Sequence, residues 1–297
     1  LFALGRAVVR GPVEVTSRRL GGGIGTATSA VTIRTRSGKR VEIVLKRYPR
    51  ARHPDAAREF KRLTFARRLD VPSPEPIALD HGEWFGVPAL VMSKLPGRAN
   101  VAPPEVEPWA DEIARVQVAI HAAADRGLPA VMQPRSNTDA WALPDDLPQT
   151  PDVEQALEIL SRRITRAGSR DVVVGHGDAH PGNMVWSRGR ISGVTDWQHA
   201  RLLPRGHEVA YMRADMAVLV GPRAADAFLA AYEGRIGSRV LDLHLWDIRQ
   251  ALGGVRWAWV WTVPYREQGA ELTESVAKRR AAAFLRRAIA RFEQRSV

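Results

Sequence analysis

The chain has 297 residues, 45% hydrophobic and 26% charged, an ordinary balance for a folded protein of one large or two modest domains. Cysteine is absent, which excludes disulfides and thiolate metal sites and leaves His, Asp and Glu as the strong metal ligands. The formal charge is +12, but the 44 Lys and Arg are spread along amphipathic patterns without interleaved aromatics, so no nucleic-acid partner is expected.

From the N-terminus, Val13 and Val15, then Val31 and Ile33, alternate with polar residues. The turn Ser37-Gly38-Lys39 leads on to Val41, Ile43 and Leu45, so residues 12–47 are predicted to be strands. Between the first two strands lies Gly21-Gly22-Gly23-Ile24-Gly25-Thr26. Glycines let backbone amides approach a phosphate closely. No Gly-Lys-Ser/Thr follows, and the complete dinucleotide fingerprint is absent, so two readings stand: a phosphate-covering hairpin or an ordinary flexible loop. Pro54 to Leu69 is predicted to be a helix with Ala56, Phe60 and Leu63 as its apolar stripe. The run Val71-Pro72-Ser73-Pro74-Glu75-Pro76 must be extended, because proline disfavours helix in itself and its predecessor. Two strands, Ile77–Leu79 and Val87–Met92, come next, and Leu95-Pro96-Gly97 interrupts the pattern.

Beyond residue 100 the pattern becomes helical. Glu105 to Arg126 and Asp152 to Ala167 are amphipathic, and a polar loop from about Gln133 to Pro151 separates them. The acids Glu105, Glu107, Asp111 and Glu112 could face a cationic substrate, but read first as favouring a helix N-terminus through its dipole. Val172–Val174 and Ile191–Val194 are short buried strands, and from about Gly206 the chain is helical to its end. There Trp246, Gln250, Gly253, Trp257 and Trp261 share one helical face, read as helix packing that could also border an acceptor pocket. The expected fold is α+β, with a small strand-rich lobe over residues 1–95 and a larger helical lobe over 96–297. No apolar run approaches the roughly 20 residues of a membrane span, and Leu1 to Arg10 lacks a signal peptide's apolar core. No membrane partner and a cytoplasmic location are expected.

His176-Gly177-Asp178 with Asn183 reads H-x-D-x-x-x-x-N, and Val194-Thr195-Asp196-Trp197 places a lone acid thirteen residues later at the end of an apolar run. In phosphoryl transfer one Asp takes the proton of the attacking hydroxyl, while an Asn and a later Asp hold magnesium on the phosphates. At ordinary residue usage the first pattern arises by chance in on the order of one such chain in a thousand. Lys46 lies on an apolar strand, where burying an ammonium is costly unless it is paired. Glu59 stands at the edge of the helix stripe that faces the sheet and would supply that pair. The alternative is that Lys46 or Arg47 reaches solvent and Glu59 pairs with Arg62 on its own helix. His176, Asp178 and His180 alternate, and with Asp196, His199 or His207 they could make a metal-dependent hydrolase. That reading leaves Asn183, Lys46, Glu59 and the glycine loop unexplained. A non-catalytic nucleotide-binding module is disfavoured because Lys46, Asp178, Asn183 and Asp196 are all present.

The residues resemble the aminoglycoside phosphotransferase and choline kinase family, relatives of the protein kinases. The resemblance rests on His176-Gly177-Asp178-x-His180-Pro181-Gly182-Asn183, on Thr195-Asp196-Trp197 and on Leu90-Val91-Met92-Ser93-Lys94-Leu95-Pro96-Gly97. Arg58-Glu59-Phe60, Val71-Pro72-x-Pro74 and Pro76-x-x-Leu79-Asp80 extend it, so that it spans roughly residues 10–240. It implies a two-lobed protein-kinase-like fold with ATP or GTP and Mg2+ in the cleft. Asp178 would be the catalytic base, and Asn183 and Asp196 the magnesium ligands. Lys46, fixed by Glu59, would bind the α- and β-phosphates under the glycine loop at Gly23 and Gly25. The backbone of Ser93 and Leu95 would meet the nucleotide base. Trp197-Gln198 stands where protein kinases have Phe-Gly, and Gly177 where they have Arg; both suit a small-molecule acceptor. That acceptor is an alcohol, within a range that includes aminoglycosides and other antibiotics, and no motif names it.

Overall fold

The computed structural model describes residues 12–21, 25–123, 127–133, 142–163 and 171–296. Alternating apolar residues build β1 (Pro12–Arg19), β2 (Ala27–Thr35) and β3 (Arg40–Arg47) into an antiparallel meander. The strands β4 (Pro76–Asp80) and β5 (Ala89–Ser93) complete a five-stranded sheet in the order β1-β2-β3-β5-β4. Because side chains alternate along a strand, the two faces of the sheet have different neighbours. Val31, Ile33, Ile43, Leu45, Ala89 and Val91 form a small cluster on one face. Val44, Leu90 and Met92, on the other, pack into the main core with α1 (His53–Ala66). Lys46 has the parity of Val44 and therefore points toward that helix. The helix stops three residues short of the predicted Leu69, because Arg68 bonds back to Phe65 and Leu69 to Ala66 in tight turns before Val71.

The remainder is mainly helical, with α2 (Val106–His121), α3 (Pro151–Arg163), α4 (Arg205–Leu219), α5 (Pro222–Ile236), α6 (Leu243–Glu267) and α7 (Glu274–Ser296). The predicted helix ends at Arg126 and Ala167 lie outside the described residues, as does Gly23. Helix α4 is the central element: only Arg205 and Tyr211 of its residues escape full burial. Its fully buried Arg213 donates from Nε and Nη2 to Asp247 on α6, each at 3.0 Å, and from Nη1 to the Ala225 carbonyl on α5 at 2.8 Å. The fork satisfies a charge that would otherwise be prohibitive in this position.

Short strands carry the motif segments. β7 (Val172–Gly175) pairs with β10 (Arg201–Pro204), and β8 (Met184–Ser187) lies between β6 (Arg98–Ala99) and β9 (Arg190–Val194). Sequence patterning finds β7 and β9. It misses β6, β8 and β10, which at two to four residues are too short to display a period. Glu105 and Glu107 stand at the N-terminus of α2 as expected, whereas Asp111 and Glu112 lie beyond its first turn. Glu107, Asp111 and Glu112 pair with Arg223, Arg235 and Arg115, and the buried Glu112 also accepts from the Ile191 amide at 3.0 Å, so these acids tie α2 to α5 and β9. The tryptophan stripe on α6 is not one packing face, because Trp246 is buried while Trp257 is exposed. Among the described residues no helix is long and apolar enough to cross a membrane.

Candidate active site

The parity of β3 brings the Lys46 ammonium to Glu59 on α1, with Nζ donating to Oε2 at 2.8 Å. The same nitrogen donates to Oδ1 of Asp196, 150 residues away, also at 2.8 Å. The Tyr48 hydroxyl donates to Glu59 as well. Lys46 is 4% exposed and Glu59 1%, so the pair is a buried one. Burial alone would lower the ammonium, but Asp196 and Glu59 outweigh it and hold Lys46 well above its ordinary value. Burial likewise pushes the Asp196 carboxyl up, and Lys46 overcomes this to hold it below the usual carboxylate range. Arg62, the alternative partner of Glu59, instead donates to the carbonyls of Val131 and Gln198.

The motif loop leaves β7 and is fixed on several sides. His176 is buried, bonds through Nε2 to the Thr195 carbonyl at 2.9 Å and packs its ring 4.7 Å from that of Trp197, which joins the loop to the Asp196 segment. Gly177 has φ +78°, and a Cβ there would sit 2.1 Å from the His199 carbonyl oxygen, so no side chain fits. Its N–H donates to the buried Glu208 on α4. Glu208 also accepts from His121 Nε2 at 2.6 Å, and His121 Nδ1 lies 2.6 Å from the Tyr232 hydroxyl. Asp178 accepts from the Tyr211 hydroxyl at Oδ1, 2.7 Å away. Asn183 donates its amide to the Asp178 carbonyl at 3.0 Å, which turns the Asn183 side-chain oxygen away from that bond. Asp196 has φ 63°, a left-handed conformation that Asp tolerates better than most residues and that carries its carboxylate toward Lys46.

These elements enclose a cavity of about 260 Å³ lined by Asp178, Asn183 and Asp196 together with Arg52, His180, His199, Tyr211, Asp215, Trp261, Tyr265 and Gln268. Its volume is near the small end of the roughly 300–1,000 Å³ of ligand pockets. Asp215 accepts from the Tyr265 hydroxyl, and burial pushes its carboxyl up to about 6. Sequence reading missed Tyr211, Asp215, Glu208 and Arg52. Tyr211 and Asp215 stand four residues apart on one face of α4, and an acid at this spacing within an apolar helix was the signal available. Among the described residues no three His, Asp or Glu side chains converge to hold a metal, and His176 faces Thr195 and Trp197, so the histidine-based hydrolase site does not assemble.

Of the other predicted positions, Gly25, Ser93 and Leu95 are not among the residues that line this cavity. Gly25, with φ +79°, faces Arg52, and Gly21 at the stem of the glycine loop lies against Glu267 at the end of α6. Ser93 ends β5, and its N–H is taken by the Glu75 carbonyl at 2.8 Å. The Leu95 N–H donates to no group among the described residues.

The sequence profile of the phosphotransferase enzyme family matches residues 16–244. No curated protein matches the chain by sequence. Among solved structures, a thermostable variant of aminoglycoside phosphotransferase APH(4)-Ia, in ternary complex with AMP-PNP and hygromycin B, superposes with a TM-score of 0.63 at 18% identity over 92% of this chain and 94% of that one. Macrolide 2'-phosphotransferase MphH from Brachybacterium faecium gives 0.57 at 18% identity over 91% and 92%. Choline kinase LicA from Streptococcus pneumoniae gives 0.58 at 16% identity over 97% of each chain. At these identities the likeness is one of fold, the two-lobed protein-kinase-like arrangement of an antiparallel sheet and a mainly helical part.

Proposed function

The chain belongs to the phosphotransferase enzyme family, and from that premise we propose that it moves the γ-phosphate of ATP, or GTP, to a hydroxyl of a small molecule. The observation that carries the proposal is that Asp178, Asn183 and Asp196, from two loops, line one cavity, while Lys46 on β3, held by Glu59 of α1, reaches Asp196. Lys46, held by Glu59, binds the α- and β-phosphates, and the base rests against the Ser93 carbonyl and the Leu95 N–H. The amides near Gly23 and Gly25 cover the phosphates. Asn183 and Asp196 offer hard oxygen ligands of the kind Mg2+ takes alongside phosphate oxygens, and the bound ion would neutralise phosphate charge there. Asp178, with Oδ1 held by Tyr211, takes the acceptor's proton on its other oxygen as that hydroxyl attacks the γ-phosphorus and ADP leaves.

The acceptor side of the cavity supports a compact alcohol that also carries a basic nitrogen. Asp215 is a buried carboxylate that forms no ion pair with Lys or Arg among the described residues and shares the cavity lining with the rings of Trp261, Tyr211 and Tyr265, and an ammonium group would satisfy both the charge and the aromatic faces. Aminoglycosides and choline-like alcohols meet this description, and inactivation of such an antibiotic in the cytoplasm, where ATP is available, is the role it would serve. Thermal unfolding tests the nucleotide half of the reading. ATP with Mg2+ at about 100 times its Kd should stabilise the protein by about 2.7 kcal/mol, zinc alone should not, and Lys46→Met should lose the response. Stabilisation by zinc with none from any nucleotide would overturn the reading.

A further inference from the structure

Arg52 closes a short turn, Arg50–Arg52, immediately before α1. Its Nε donates to Asp55 Oδ2 at 2.8 Å, which fixes one edge of the guanidinium. Neither Nη1 nor Nη2 has a hydrogen-bond partner among the described residues. Nη1 lies 2.9 Å from the point where a Cβ on Gly25 would project, so the free end of the fork lies against Gly25. The side chain also lines the cavity that holds Asp178, Asn183 and Asp196.

The charges around that cavity are unbalanced. Asp178, Asp196 and Asp215 are three carboxylates, and Arg52 is the one lining residue with a permanent positive charge. Lys46 is already engaged with Glu59 and Asp196. A terminal phosphate that enters beside three carboxylates requires a cation, and phosphoryl transfer spreads further charge over its equatorial oxygens. A guanidinium with two free N–H edges matches two phosphate oxygens at once, which an ammonium cannot do.

We propose that Arg52 is a catalytic residue whose free guanidinium edge binds the γ-phosphate during transfer. This rests on the nucleotide reading of the site. The competing role is structural, with Arg52 serving only to pair with Asp55 at the start of α1. Calorimetric titration with AMP-PNP and with ADP, both with Mg2+, separates the two without an acceptor. A charge-assisted bond lost on Arg52→Ala should weaken AMP-PNP by about 10-fold or more and leave ADP within about two-fold. Arg52→Lys should recover part of the AMP-PNP affinity. Equal weakening of both nucleotides, or of neither, would overturn the inference while the nucleotide site stands. A wild-type protein that bound neither nucleotide would overturn both.

Discussion

Asp178 is held by two different elements, since its backbone carbonyl accepts from Asn183 and its Oδ1 from Tyr211 on α4. The Tyr211 hydroxyl is itself held strongly protonated by burial and by the Asp178 charge, so it remains a donor at any working pH. Tyr211→Phe should therefore leave nucleotide affinity unchanged and lower kcat by about 10-fold, the effect of one hydrogen bond on a catalytic base. A matching loss of nucleotide binding, measured by titration, would mean that Tyr211 supports the whole site. At this scale the sequence was informative where chemistry restricts residue type and spacing: Asp178, Asn183 and Asp196 sit in short motifs, and Lys46 and Glu59 share a strand–helix unit. Arg52 was not legible, and Tyr211 and Asp215 had only an acid's place in an apolar helix as a signal, because only the folded chain brings them within reach of that motif. The direct Lys46–Asp196 contact spans 150 positions and has no local signal at all.

Helix α4 does for the loop what β3 does for Lys46. Its Glu208 accepts the Gly177 N–H just before Asp178 and reaches His121 on α2, so one buried side chain joins two helices to the motif. Burial would raise the Glu208 carboxyl, but the bond from His121 and its charge prevail and hold it down at about 2. A carboxylate depressed in the folded state contributes stability above its ordinary pKa of about 4.3 and loses it as pH falls through its folded value. Wild-type stability should thus decline between about pH 5 and pH 2. Glu208→Ala should cost about 3–5 kcal/mol at neutral pH by stranding His121 and the Gly177 amide, and should flatten that acid limb. Denaturant melts across this range decide it, and an unchanged acid limb would remove Glu208 from the account. The long elements were readable from period-2 and helical patterning. The tight turn after Ala66 is made by local bonds that a helical pattern does not distinguish, and the short strands around the motif follow from tertiary hydrogen bonds such as Val194 to Pro72, which composition does not encode.

Across the whole molecule, the sheet and the helical part share one continuous core, with Tyr48, Leu63, Leu90 and Met92 in the same cluster as Ile113, Met212 and Phe228. The Lys46–Asp196 bond crosses from one part to the other at the cavity, so Lys46 and Asp178, the groups proposed to bind phosphate and accept the proton, are positioned by a single packed body. The basic balance is dispersed: Arg213, Arg287 and Arg291 converge on Asp226 and Asp247, and many other arginines pair with acids on neighbouring helices. This is consistent with charge serving the fold and its surface rather than a polyanionic partner. The two-lobed architecture was legible in the order of strand-like and helical patterns. The identity of the acceptor was not, because no motif names it and the cavity lining of α4 and α6, Asp215 and Trp261 among it, forms only in the folded chain. The most direct measurement is ADP release with ATP and Mg2+ across a panel of aminoglycosides, macrolides, aminosugars and choline, run on the wild type and on Asp178→Asn. The account predicts acceptor-dependent turnover by the wild type on an amine-bearing alcohol and a loss of about 1,000-fold or more in the variant; turnover that the variant retains would contradict it.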